Sequence, residues 1–284
     1  MKPAAPLEWN VAAMLQSPLF APLHPALARM DEARFPGLDE YNALLAQRQP
    51  PIAVQSGKPL RFVAQEAGRL PFAGQYEPRC YLEGEVQTRE DNWHDLFNAL
   101  VWLIFPQSKA AINARHYRSL VAGEGRKEPG ETGSQRGSGR DMLTLLDESG
   151  VLVPCADAEL AGMLRDFRWK ELFWHNRERL AGAMGFYLYG HGLYEKALRP
   201  YVGMTGQGLI LAVESGFFGW PEDRRLTHLD EALARCLAET GELSPRNLTP
   251  VPLLGVPGWS DQSTREIFYE DSGYFRPRRL SFDH

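Results

Sequence analysis

Residues 93–104, WHDLFNALVWLI, form the segment that most constrains the fold, because apolar residues occupy nearly every side of the predicted helix. A helix that is apolar all round is a buried helix. The same segment carries three polar side chains, His94, Asp95 and Asn98. A protein core excludes such groups unless they are hydrogen-bonded. The segment therefore predicts a buried helix that presents polar groups to a site.

Asn92 and Pro106 mark the two ends of this helix. Asn is a preferred N-cap, and an acid three residues later, Asp95, can interact with the capped end, which explains Asp95 without catalysis. Proline disfavours helical geometry in the residue before it, so the helix should end near Ile104. A second helix is expected from about Gln107 to Val121, and the short connection predicts antiparallel neighbours.

The second helix carries a polar stripe of Lys109, Asn113 and His116, at positions i, i+4 and i+7. Alone, such a stripe is typical of a helix face in water. His94 and Asn98 lie one turn apart on the preceding helix, so packing of the two helices would bring all five side chains together. The sequence therefore predicts a shared polar cleft between the two helices.

The chain after these helices changes character. Residues 122–139 are rich in Gly, Ser and charge, which predicts a mobile loop. Met142–Leu146 and Val151–Val153 then flank Asp-Glu-Ser-Gly, which predicts a β-hairpin whose turn contains Asp147 and Glu148 as ordinary turn residues. Two charged residues at the start of this hairpin are further candidates for ligand binding: Arg140 and Asp141.

His191 and Glu195 form a His-x3-Glu pair on a predicted helix that follows Gly190. This spacing places both side chains on one helix face, as in a metal site or a histidine oriented by a carboxylate. An ion pair in solvent has the same spacing. A divalent metal is therefore compatible with the sequence, but the spacing does not identify one.

Composition excludes several classes of function. The net charge of −5 and the pI near 5.9 argue against nonspecific binding of nucleic acid or anionic membranes. The longest apolar run, 99–105, is too short for a membrane span, and the first residues predict no signal peptide. Three widely spaced cysteines suggest neither a zinc site nor a disulfide framework, so a reducing cytoplasm is expected.

The pattern of the whole chain predicts an α+β fold, with a mainly helical body and a small, mostly antiparallel sheet. LRFVAQ (60–65) and residues 208–213 have the composition of strands, whereas 77–87 is expected to be extended and polar at intervals. At 284 residues the chain is expected to form a single compact domain, 1–284. Large apolar residues in the tail, such as Phe268 and Phe275, should pack on the body.

Several runs of residues carry a resemblance to a known family: NWHDLFNALVWLIFPQSKAAINARHY, RDMLTLLDESG, YGHGLYEKALRPY, PLLGVPGW and FYEDSGYFRPRR. They resemble, in order and over roughly residues 60–280, the bacterial proteins catalogued as domain of unknown function 3025. The resemblance implies a soluble, cytoplasmic bacterial protein and assigns no activity.

Two classes of function fit these residues. The first is a hydrolase acting on a small anionic substrate such as a phosphate ester, with His94, Asp95 and His116 as metal ligands or acid-base groups. In this class Lys109 and Arg140 would neutralise the substrate. The second is a non-catalytic module that binds a small ligand or a protein, in which the polar cluster is structural. Seven side chains are the candidate ligand-binding groups: Asn98, Lys109, Asn113, Arg140, Asp141, His191 and Glu195.

Overall fold

A computed structural model describes residues 7–124, 134–239 and 245–278, without the side chains of 124, 134–141 and 239. The fold is α+β with a helical body, as predicted, and is 56% helical and 12% strand. The prediction of a mostly antiparallel sheet is wrong, because the described strands form a two-stranded parallel sheet and a four-stranded mixed sheet. The helices are α1 Val11–Gln16, α2 His24–Leu27, α3 Leu38–Ala46, α4 Tyr76–Glu83, α5 Trp93–Ile104, α6 Pro106–Glu124, α7 Ser134–Ser149, α8 Ala158–Arg165, α9 Arg177–Ala183, α10 His191–Ala197 and α11 Glu222–Glu239, with a π-helical turn at Glu171–His175. The strands are β1 Arg61–Ala64, β2 Glu85–Thr88, β3 Gly150–Cys155, β4 Tyr187–Leu188, β5 Thr205–Ala212 and β6 Thr249–Pro252.

Strand β3 organises the larger sheet, whose order is β4-β3-β5-β6. It pairs in parallel with β5, with Val151 opposite Gly208, while the outer strands β4 and β6 pair in antiparallel fashion. A separate parallel pair joins β1 to β2, with Arg61 opposite Glu85. The parallel β3–β5 pair requires a crossover connection. That crossover contains α8, α9 and α10, and α10 packs against both α5 and α7.

Helix α5 has the predicted ends and the predicted burial. The Asn92 side chain accepts a hydrogen bond from the backbone N–H of Asp95 at 3.0 Å, which caps the helix. Every residue from Leu96 to Leu103 is buried. Helix α6 follows directly from Pro106 and is also longer than expected, because it continues to Glu124.

The hairpin predicted between Met142 and Val153 is wrong. Helix α7 continues to Ser149, and β3 begins at the next residue without a loop. Met142, Leu143 and Leu146 are all buried, a spacing that suits one face of a helix, so the Asp-Glu-Ser-Gly run is the end of α7 rather than a turn. A side chain at Gly150 would overlap the carbonyl oxygen of Leu146, which explains why glycine stands at this junction.

The Gly-rich loop predicted at 122–139 is too wide at both ends. Residues 122–124 belong to α6 and residues 134–139 to α7, while residues 125–133 lie outside the described part of the chain. Arg140 and Asp141 are on α7 rather than at the start of a hairpin, and their side chains also lie outside the description.

Other segments agree with the sequence to different degrees. The strand predicted in LRFVAQ is present as β1, and the one predicted at 208–213 is part of β5. The extended segment predicted at 77–87 is wrong for 77–83, which belong to helix α4, and confirmed for 85–87, which belong to strand β2. In the tail, Phe268 and Phe275 are buried as predicted. Within the described ranges, no helix combines the length and the apolar character that a membrane crossing requires.

Candidate functional site

A cavity of about 490 Å³ opens where helices α4, α5, α6, α7 and α10 meet. Its size is within the range of small-molecule sites. Four of the side chains predicted in or beside the shared cleft line this cavity: His94, Asp95, Asn98 and His116. Glu148 on α7 and His191 on α10 also line it.

Three of the lining residues converge on one point: His94 from α5, Glu148 from α7 and His191 from α10. The two Nε2 atoms are 2.9 Å apart, and Glu148 Oε1 lies 3.4 Å from His191 Nε2 and 3.7 Å from His94 Nε2. Ligand atoms bound at about 2.0–2.1 Å to one divalent cation are separated by roughly 2.9–3.5 Å in octahedral or tetrahedral geometry. The trio, by which we mean His94, Glu148 and His191, thus has the donor types of a metal site. Two of its three separations lie within this range, and the third, 3.7 Å between Glu148 Oε1 and His94 Nε2, lies slightly above it.

The outer nitrogens of both histidines face carboxylates. His94 Nδ1 lies 3.2 Å from Glu195 Oε2, and His191 Nδ1 lies 3.7 Å from Asp147 Oδ2. The hydrogen bond with Glu195 favours a proton on His94 Nδ1 and leaves His94 Nε2 as a lone pair. Among the described residues His191 Nδ1 has no hydrogen-bond partner, so in the metal-free protein the His191 proton can lie on Nε2, which then donates to His94 Nε2 or to Glu148. A cation at the trio would instead require a lone pair on His191 Nε2, with the proton on Nδ1 toward Asp147.

Two glycines let α10 approach the end of α7 closely enough to form the trio. A Cβ on Gly190 would overlap the backbone at Glu148, Ser149 and Gly150. A Cβ on Gly192 would lie 2.6 Å from Glu148 Oε2. Because Gly190 and Gly192 have no side chains, the first turn of α10 can pack directly against the end of α7. His191, which is 5% exposed, lies between these two glycines and contacts Glu148. The hydrogen bond from His191 lowers the pKa of Glu148 and keeps that carboxyl ionised.

A buried network lies behind the trio. Lys109 is 3% exposed and donates hydrogen bonds to Asp147 Oδ1 at 2.5 Å and to Asn98 Oδ1 at 2.9 Å. Asn98 in turn donates to the hydroxyl of Tyr76 at 2.7 Å. Burial acts to raise the pKa of Asp147, but the charges of Lys109 and His191 outweigh it, so the pKa is lowered. Lys109 therefore neutralises Asp147 and holds the carboxylate that faces His191.

The remaining predicted residues lie around the cavity in different roles. Asp95 accepts hydrogen bonds from the backbone and side chain of Arg89 instead of reaching the helix cap. Asn113, which is 3% exposed rather than in solvent, donates to the Glu77 side chain at 2.6 Å and to the Glu77 carbonyl at 3.0 Å. His116 is 9% exposed and lines the cavity outside the trio.

Three acidic residues of the site were missed by the sequence analysis: Glu77, Asp147 and Glu148. Asp147 and Glu148 were interpreted as turn residues, and Glu77 was placed in an extended segment. The helical spacing of Met142 and Leu146 was the available signal for α7, since residues 147 and 148 continue that helix. No local signal connects Glu148 to His94, because they are far apart in sequence and meet only through the fold.

These observations define the class of protein: an α+β fold with a cavity lined by histidines and carboxylates. Within that class, residues 60–279 match the family model described as "Protein of unknown function (DUF3025)". This match covers most of the chain, which therefore belongs to that family. A search of the curated proteins and of the solved structures finds no match to the chain.

Proposed function

We propose that the protein is a divalent-metal-dependent hydrolase that acts on a small anionic substrate. The observation that carries the proposal is the convergence of two imidazole nitrogens and one carboxylate oxygen at the wall of a cavity. Three protein ligands leave coordination positions for water and substrate, as in catalytic zinc sites. A metal in such a site polarises a substrate oxygen and lowers the pKa of bound water to near neutrality.

The charges around the cavity support an anionic substrate. Asp95 is paired with Arg89 and Asp147 with Lys109, so both acids are neutralised by their partners. A dication at the trio would face the charge of Glu148, while Glu195 lies at His94 Nδ1 and does not line the cavity. Glu77 also lines the cavity, and burial raises its pKa to about 7, so it is largely neutral below that pH. A phosphate-ester or carboxylate oxygen would be attracted to the cation itself, and His116 lines the cavity wall on α6 where it would contact such a substrate. The three free cysteines support a cytoplasmic setting.

Metal binding is the first test. The chelator-treated protein should bind one Zn²⁺ or Co²⁺ per chain in isothermal titration calorimetry. Ligand substitution, His94→Ala, His191→Ala or Glu148→Gln, should weaken that binding at least 100-fold. His175→Ala is the matched control, since His175 is exposed and outside the cavity, and its affinity should not change. Two histidines and one carboxylate are also the ligands of non-haem Fe(II) oxygenases. A titration with Fe²⁺ under anaerobic conditions therefore tests whether the site prefers iron to zinc or cobalt.

Hydrolysis is the second test. The metal-loaded protein should release p-nitrophenol from p-nitrophenyl phosphate, and p-nitrophenyl acetate serves as the uncharged comparison. His116→Ala should retain metal affinity and raise KM for the phosphate. If the polar cluster is structural instead, no metal will bind, and His94→Ala and His116→Ala will each lower the free energy of unfolding by about 1 kcal/mol or more.

A further inference from the structure

Glu77 differs from the other acids that line the cavity. Asp95, Asp147 and Glu148 each lie beside Arg89, Lys109 or a trio histidine. Within the described residues Glu77 has no salt bridge, and its side chain accepts a hydrogen bond from a neutral amide. It lies in the first turn of α4 and lines the same cavity as the trio. A carboxyl group in this position has no structural partner that requires it to be charged.

Asn113 fixes the orientation of this carboxyl group. Its Nδ2 atom donates to Glu77 Oε2 at 2.6 Å and to the backbone carbonyl of Glu77 at 3.0 Å. A carbonyl oxygen can only accept, so the amide must present its nitrogen here, and the assignment of the Asn113 side chain is determined by the backbone. The second oxygen of Glu77 does not take part in this contact.

The surroundings of Glu77 place its ionisation near neutral pH. Burial raises its pKa to about 7, against the hydrogen bond from Asn113 and the charge of Lys109, which lower it, while Asp147 raises it. Cys80 on the same helix is a further titratable neighbour, and its pKa is raised by burial. A general acid-base group is most effective when its pKa lies close to the working pH.

We propose that Glu77 is the general base and general acid of the hydrolysis. This inference rests on the proposed metal-dependent function. The ionised carboxylate would accept a proton from the attacking water as the water oxygen forms a bond to the phosphorus or carbonyl carbon of the substrate. His94, Glu148 and His191 would hold the cation, which would supply polarisation of the water and of the substrate oxygen. The bond to the leaving group breaks, and Glu77 returns the proton to the leaving oxygen. Water is the co-reactant, and no oxidant or reductant is involved.

Glu77→Gln tests this role, because glutamine keeps the shape and can still accept the hydrogen bond from Asn113. Glu83→Gln is the matched control, since Glu83 is exposed at the other end of the same helix. The first measurement is the affinity for Co²⁺, which should stay within about threefold of the wild type in both variants. The second is the pH dependence of the Co²⁺ visible spectrum, which should show two ionisations in the wild type and in Glu83→Gln but one in Glu77→Gln.

Kinetics supply the third measurement. For p-nitrophenyl phosphate, Glu77→Gln should lower kcat by about 100-fold or more with KM within threefold, and the acidic limb of the pH profile should disappear. Asn113→Ala should instead move that limb to higher pH. The hydrogen bond from Asn113 lowers the pKa of Glu77, so its removal raises that pKa.

The outcomes separate the two proposals. If the wild type binds no Co²⁺, the metal-dependent function fails and the role of Glu77 fails with it. If Co²⁺ binds but Glu77→Gln keeps the two ionisations, or keeps the wild-type kcat and pH profile, the role of Glu77 is refuted and the metal site stands.

Discussion

Lys109→Met should destabilise the metal-free protein because it leaves a buried carboxylate without its cation. The Lys109 side chain is 4% exposed and that of Asp147 is 19% exposed, so solvent cannot replace the lost ion pair. Methionine keeps an apolar chain of similar length beside Trp102, whose ring centroid is 5.6 Å from the ammonium. The substitution therefore removes charge and hydrogen bonds rather than volume.

Removing one partner of a buried ion pair costs about 3–5 kcal/mol, and the partial exposure of Asp147 favours the lower end, about 3 kcal/mol. A loss of 1 kcal/mol lowers the Tm of a protein of about 150–250 residues by about 2–4 °C, and that of a longer chain by less. For this chain a loss of about 3 kcal/mol should therefore lower Tm by about 6 °C. The double variant Lys109→Met/Asp147→Asn removes the unpaired charge, so it should recover at least about 1 kcal/mol relative to the sum of the single changes.

Urea denaturation in the presence of a chelator measures these free energies of unfolding. Lys196→Met, at an exposed position of α10, is the control and should change stability by less than about 0.5 kcal/mol. The pKa of Asp147 is lowered in the folded protein, so the stability from the pair is present above its ordinary pKa of 3.8 and is lost as the pH falls below it. A loss under 1 kcal/mol for Lys109→Met, or additive single changes, would refute the reasoning.

Three further predictions concern stability. Asp230 is 2% exposed and accepts hydrogen bonds from the backbone N–H groups of Gln107 and Ser108 at the start of α6, so Asp230→Ala should cost about 2–3 kcal/mol in urea denaturation. Deletion of residues 258–284 removes several buried aromatic rings, each worth about 1.5–3 kcal/mol, and an unchanged Tm would contradict the packing of the tail. Burial raises the pKa of Glu77 from 4.5 to about 7, so its contribution to the stability of the metal-free protein is full below pH 4.5 and is lost as the pH rises through 7; Glu77→Gln should flatten that part of the pH-stability curve.

The sequence predicted helix α5 well because its boundaries depend on local chemistry. Asn92 caps the helix through its own side chain, and Pro106 prevents the residue before it from continuing the helix. Apolar residues on every side then required burial, and Leu96–Leu103 are buried. Where the conformational preference of a single residue determines a helix end, that end can be predicted from one sequence.

Helix α7 was misread because local chemistry and tertiary structure disagree there. Asp-Glu-Ser-Gly has the composition of a tight turn, yet the helix passes through it and continues into β3. The packing of Met142 and Leu146 in the core determines that this segment is helical. At its end the backbone of Gly150 lies so close to the Leu146 carbonyl oxygen that no side chain could be accommodated. The error had a consequence for the site, because it removed Glu148 from the candidate ligands.

The candidate site could be predicted in part, for the same reason. The polar stripes of α5 and α6 are local patterns, so the shared cleft of His94, Asn98 and His116 followed from helix geometry. The partner of His94 could not be predicted in this way. His191 is 97 positions away and reaches His94 through the crossover between β3 and β5, which no periodicity in the sequence describes.

Helix α5 can carry polar residues in an apolar core because each is bonded to a different neighbouring element. Asn98 bonds both Lys109 and Tyr76, and Asp95 bonds Arg89, so these groups are satisfied without a ligand. His94 also has a partner at each ring nitrogen, a carboxylate at Nδ1 and the His191 imidazole at Nε2. The polar residues of α5 therefore divide into Asp95 and Asn98, which bond to residues that support the cleft, and His94, which belongs to the trio and is a ligand in the metal site that we propose.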